Sequence, residues 1–183
     1  RLFHNQKKFL KVKTSFGSTF DSIVLYKFRS GTLSFLKGSV QFGGTAPLPT
    51  LPGFFIDGHI THFNLDGWIK AILALRKGTS THNWLDIFSR INLKSKKVSY
   101  HDKVYSNVLL QATQNRKDWN ISLESDVAKG RAVFRKDFNH AINIDLDSLK
   151  IDKLNVSQGM FYRQWSPRQL PSFNLKVKTL FYQ

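Results

Sequence analysis

Alternation of apolar and polar residues with a period of two runs through most of this chain, and that one property confines it to half-buried β-strands. In "KFLKVKTSF" the residues Leu10, Val12, Thr14 and Phe16 fall on one side, and Lys11, Lys13 and Ser15 on the other. "DSIVLYKFRSG" is denser, with Ile23 and Leu25 opposing Val24, Tyr26 and Phe28, and Ser30-Gly31 marks a turn. "LSFLKGSVQFGG" follows as a strand with Leu36, Val40 and Phe42 on a common side. Gaps this short leave no room for crossover helices, so these three strands are antiparallel neighbours.

"GGTAPLPTLPG" holds three of the five prolines and reads as a loop. In the strand "FFIDGHITHFNL", Ile56 and Ile60 share a side with Phe54, Gly58 and His62. The period then lengthens. Leu65, Trp68, Ile69 and Ile72 recur at helical spacing, with Asn64 or Asp66 as cap and Gly78 beyond, which predicts a short helix over Asp66 to Arg76. "THNWLDIFSRI" places Trp84, Leu85 and Phe88 on one stripe and predicts a second. Together these make a helical insertion over residues 66–91. Strands resume with Val98 and Tyr100, a turn at His101-Asp102-Lys103, then Val108, Leu110 and Ala112. Trp119, Ile121 and Leu123 follow, then Ala132 and Phe134, then Ile142, Ile144 and Leu146. Residues 155–171 show neither period and form a crossing loop, after which Phe173, Leu175, Val177 and Thr179 align in a last strand. About ten strands and one or two short helices make a mainly β, largely antiparallel fold without βαβ repetition.

Composition narrows function more than fold. There is no Cys, which removes disulfides, thiolate metal sites and cysteine nucleophiles. The longest apolar run, near Ala71 to Leu75, is far short of the roughly 20 residues that cross a bilayer. The 28 Lys and Arg against 12 Asp and Glu give a net charge of +16, which calls for anionic partners or a tolerant location and identifies neither. Catalytic patterns are absent. His59 and His62 point to opposite faces of an ideal strand and share no metal, and Asp145 and Asp147 lie on the wet side of theirs. No phosphate loop or nucleophile elbow occurs, so an enzyme is not expected, nor a cofactor.

The segments "VQFGGTAPLPTLPGFFIDGHITHFNLDGWIKAI", "WNISLESDVAKGRAVF", "HAINIDLDSLKI" and "LPSFNLKVKTL" resemble, in order, the large AsmA-like bacterial envelope proteins, closest to the YhdP family. The likeness spans residues 36–183. It is carried by Gly43, Pro52, Gly53, Ile56, Asp57, Gly58, Leu65, Asp66 and Trp68, and later by Trp119, Leu123, Gly130, Ile144, Leu146, Leu170, Pro171 and Leu175. It implies that residues 1–183 are a section of an elongated periplasmic protein anchored in the inner membrane, with its sheet strongly curved into an open groove. Such proteins are implicated in moving phospholipid between inner and outer membranes, with the rest of the same polypeptide and membrane proteins as partners. This chain departs from the pattern in its lysine content.

On that reading the groove is lined by Val12, Phe42, Ile56, Ile60, Val108, Leu110, Ile121, Leu123, Phe134, Ile142, Ile144, Leu146, Leu175 and Val177. Phe161, Tyr162, Arg163, Trp165 and Arg168 form an exposed aromatic and basic loop. Two alternatives stand beside it. The segment is structural, without lipid contact; or its basic stretches "NQKKFLKVK" and "NLKSKKVSYHDK", interleaved with rings, bind nucleic acid.

Overall fold

The computed structural model describes residues 8–29, 31–68, 70, 87–101, 103–115, 118–135, 140–151 and 172–182. They form one ten-stranded sheet whose spatial order is the chain order. The strands are β1 (Lys8–Phe16), β2 (Phe20–Arg29), β3 (Thr32–Phe42), β4 (Gly53–Asn64), β5 (Phe88–Tyr100), β6 (Lys103–Asn115), β7 (Asp118–Glu124), β8 (Ala128–Arg135), β9 (Ile142–Ile151) and β10 (Phe173–Tyr182). Neighbours joined by short turns pair antiparallel. The pairs β3/β4, β4/β5 and β9/β10 are parallel, and these are the three with long connections, as the return path of a parallel pair demands.

Two expectations need correction. The sheet is open, with β1 and β10 at separate edges, and it is not strongly curled, so the curved groove is not the architecture. Extensive strand contacts join sheet neighbours alone among the described residues. Alternation assigns each side chain to a face, whereas curvature depends on twist and bulges, to which alternation is blind. The β2 to β4 region also carries apolar bulk on both faces. Ile23, 4% exposed, lies on the face opposite Phe42, under the loop that joins β3 to β4. That loop is fixed there by Ser39 Oγ donating to Pro47 O and by Ala46 N donating to Asp21 Oδ2 at 3.0 Å. Hydrogen bonds from the Ser15 hydroxyl and the Ala46 amide, with Lys13 nearby, hold the Asp21 carboxyl below its usual range.

The second correction is local. Phe88 to Ile91, expected in a helix, belong to β5, where Phe88 stands beside Phe54 and Ile91 beside Ile56. Phe54 and Phe88 meet edge to face at 5.5 Å, and this pairing outweighs a helical stripe of three residues. The first helix begins where expected. Residues 65–68 and 70 are helical, and Asn64 Oδ1 caps them by accepting from Gly67 N at 2.9 Å. The remainder of the 66–91 insertion up to residue 86, and the 155–171 loop with Phe161, Tyr162, Arg163, Trp165 and Arg168, lie outside the described residues.

The core is thin. Among the described residues the buried apolar side chains are Ile23, Phe42, Ala46, Val98, Ala112 and Trp119, and no large one is fully buried. A single sheet with two solvent-facing sides has nowhere to hide more.

Candidate functional site

Cross-strand register shows how the sequence builds one face. Phe42, Leu93, Leu110, Leu123, Leu146 and Val177 stand in one row across the sheet, with Gly58 and Gly130 interposed. The next row holds Ile56, Ile91, Ile121, Ile144 and Leu175, with Ala112 and Ala132 between them. The glycines are there for space. A Cβ on Gly58 would lie 2.2 Å from Phe42 O, and one on Gly130 would lie 2.5 Å from Asp145 O.

All fourteen residues read from the sequence as lining fall on this face, though not at one place. Ile60, Val108, Leu110 and Leu123 wall an apolar depression of about 390 Å³. Val12 sits at the β1 edge, 39% exposed, and Leu175 at the β10 edge, 50% exposed. Phe134 stands beside Trp119, and Ile142 beside Phe173, away from the depression.

Sequence reasoning named four of the depression's fourteen lining residues and missed the rest. Phe63 lines it together with Ile60, Val98 with Ser95, and Tyr105 with Val108. Each pair is three residues apart, which an ideal strand would send to opposite faces. Three adjacent strands therefore change phase in step, at Thr61–His62, Lys96–Lys97 and Asn107. The signal was available at Asn107, whose φ of 52° is a conformation that Asn tolerates better than most residues. The change puts Lys96 and Lys97, both exposed, outside the depression and returns Val98 to it.

The hydroxyls that approach the wall are turned away from its interior. Ser95 Oγ donates to Lys97 O at 2.8 Å, and Ser125 Oγ donates to Ala128 O at 3.1 Å. At one end Leu65 closes the wall. The same helical turn places Trp68 against Phe63 at 5.6 Å and Phe42 at 6.1 Å, leaving it 43% exposed. Asp66 joins this end to the β5–β6 turn, accepting from His101 N at 2.9 Å, with His101 Nε2 at 3.7 Å from the carboxylate. The depression thus has largely apolar walls and an aromatic rim; Tyr100 and Tyr105 are the titratable side chains that line it, with no Asp, Glu, His, Lys or Arg among the described lining residues. Such a lining favours contact with apolar groups.

Among the described residues no group of His, Asp or Glu is placed to hold a metal ion, and no helix is long and apolar enough to cross a membrane. No family model, curated protein or solved structure matches this chain.

Proposed function

We propose that this sheet carries lipid acyl chains on its apolar face without bond chemistry, and that phospholipid passing between two bacterial membranes is its cargo. The observation that carries the reading is the depression itself. Its serine hydroxyls are spent on backbone carbonyls, and it opens on rows that run aliphatic to the β10 edge; towards β1 one row continues through the rings of Phe42, Phe20 and Phe16 and the other ends in Ser22 and Thr14. Each methylene removed from water contributes about 0.8 kcal/mol, so a chain seating roughly ten of them gains about 8 kcal/mol before ordering costs. Rows reaching the edges give such a chain a path along which little of that gain is lost. The resemblance to AsmA-like proteins points to the same cargo and to a periplasmic setting.

Leu109 and Leu110 supply the test, being adjacent in β6 and on opposite faces. A photo-crosslinking residue at 110 or 123 is expected to capture phospholipid in cells, and one at 109 or 122 is not. Equal capture from the two faces would refute the reading. Capture of nucleic acid by either face would favour the basic-sheet alternative.

A further inference from the structure

The opposite face of the same strands carries a second concavity, of about 620 Å³, whose chemistry differs from the rest of that face. Elsewhere the polar side is rich in lysine, as at Lys11, Lys13, Lys94, Lys129, Lys176 and Lys178. Within the concavity there is none. Asn92, Gln111, Thr113, Asn120 and Ser122 occupy β5, β6 and β7, with Arg90 at one end and Arg131 at the other. Asn and Gln are not strand-favouring residues, so a mid-sheet cluster of short amides and hydroxyls in so basic a chain is not explained by stability or by solubility.

Register makes the cluster a ladder. Asp57, Asn92, Gln111, Ser122 and Arg131 follow one another on five successive strands. Arg90, Thr113 and Asn120 form the parallel rung set beside them. Strand spacing puts one amide or hydroxyl about every 4.8 Å, and the two arginine positions about 14 Å apart across the strands and about 7 Å apart along them. Most of this hydrogen-bonding capacity is unspent. Gln111 Nε2 reaches Asn92 Oδ1 at a long 3.4 Å, while Thr113, Asn120 and Ser122 make no side-chain hydrogen bond among the described residues. Arg90 is positioned, its guanidinium bonded to Asp57 at 3.0 Å and lying over the Phe55 ring at 5.5 Å, yet half exposed. Arg131 makes no ion pair within 4 Å among the described residues, although Asp145 is its cross-strand neighbour on β9 and its charge acts on Asp147.

We propose that this concavity binds an acidic oligosaccharide. Amides and hydroxyls both donate and accept, which is what the vicinal hydroxyls of a sugar require, and a ladder across strands suits a linear chain of rings. Guanidinium groups at the two ends bind carboxylate or phosphate substituents through charge-assisted pairs. Single-stranded nucleic acid fits less well, because the ring available for base stacking here, Phe55, already lies under Arg90. The site faces away from the acyl-binding depression and does not depend on it.

Titration calorimetry at low ionic strength with a galacturonic acid tetrasaccharide, a maltotetraose and an oligothymidylate is the test. The acidic tetrasaccharide is expected to bind, Arg131→Gln to weaken it about tenfold, and Asn120→Ala to weaken it severalfold. Lys176→Gln, on the same face beyond the concavity, is expected to change affinity by less than about twofold. Circular dichroism of each variant confirms that the sheet persists, and phospholipid capture at position 110 is expected to survive Arg131→Gln. No binding of the acidic sugar, tighter binding of the oligothymidylate, or equal losses from Arg131→Gln and Lys176→Gln would each overturn the proposal.

Discussion

At the residue scale, the glycines and the indole of Trp119 show where the sheet is tightest. Gly58 has a φ of 132° and its missing Cβ leaves room for the Phe42 backbone. Gly58→Ala must both strain the backbone and push β3 from β4, and it is expected to destabilise the fold by about 2 kcal/mol or more in urea titration. Trp119 behaves in the opposite sense. It is 3% exposed, and its Nε1 has no hydrogen-bond partner among the described residues, so its burial carries a desolvation cost. Trp119→Phe removes that N–H while keeping a ring beside Phe134, and is expected to lie within about 1 kcal/mol of the parent, whereas Trp119→Ala costs about 3 to 5. Gly58 and Gly130 were visible in the sequence within strand patterns, but what they are for was not. The reason lies in a carbonyl on a neighbouring strand, and a single strand read alone contains no neighbours.

At the element scale, β10 is held to β9 by a parallel ladder and by side-chain bridges on the polar face, Asn174 to Asn143 at 3.0 Å and Lys178 to Asp147. Lys178 lowers the Asp147 carboxyl below its ordinary 3.8, and the carboxylate raises Lys178 above its ordinary 10.5. The sign follows for each. The Asp147 contribution is present above pH 3.8 and is lost as pH falls through its lowered value; the Lys178 contribution is present below pH 10.5 and is lost as pH rises through its raised value. Hydrogen exchange in β10 is therefore expected to accelerate relative to β6, once intrinsic rates are allowed for, when pH falls below 3.8. Asp147→Asn is expected to abolish the difference. The effect is small because both groups are exposed. The strands themselves were readable from period two, and Asn64 was readable as a helix cap. Where the reading failed, at Phe88 to Ile91 and across Thr61–His62, a neighbouring strand decided the outcome. In the first case ring pairing replaced a helix; in the second an added residue inverted the faces.

At the scale of the molecule, the count of strands and the existence of one apolar side were available from the chain, while the lack of strong curvature was not. Alternation is a local property, and whether ten strands curl or stay extended is decided by accumulated twist, by bulges and turns acting together, and by loops such as 43–52 that load the second face. The apolar depression was legible only in part: Ile60, Val108, Leu110 and Leu123 of its fourteen lining residues were named from the sequence, while Phe63, Val98 and Tyr105 were not, because the phase change is a property of three strands at once. The two-sided character of the sheet yields a further expectation. Leu123→Asp places a carboxylate in the depression and is expected to abolish phospholipid capture at position 110, with retained circular dichroism separating that loss from unfolding.

The pairing directions have a consequence for how the chain reaches this state. From β5 to β9 every neighbour is the next strand along the chain and every junction is a short reversal, so this half assembles by successive local closures. The β4/β5 pairing must wait for the connection that ends at Phe88, and β10 for the one that ends at Phe173. Local closure is fast and long closure is slow. In a refolding pulse the amides of β6 to β8 are expected to gain protection first, with the β4/β5 and β9/β10 seams last. Those seams are also where the sheet should part first under a stretching force.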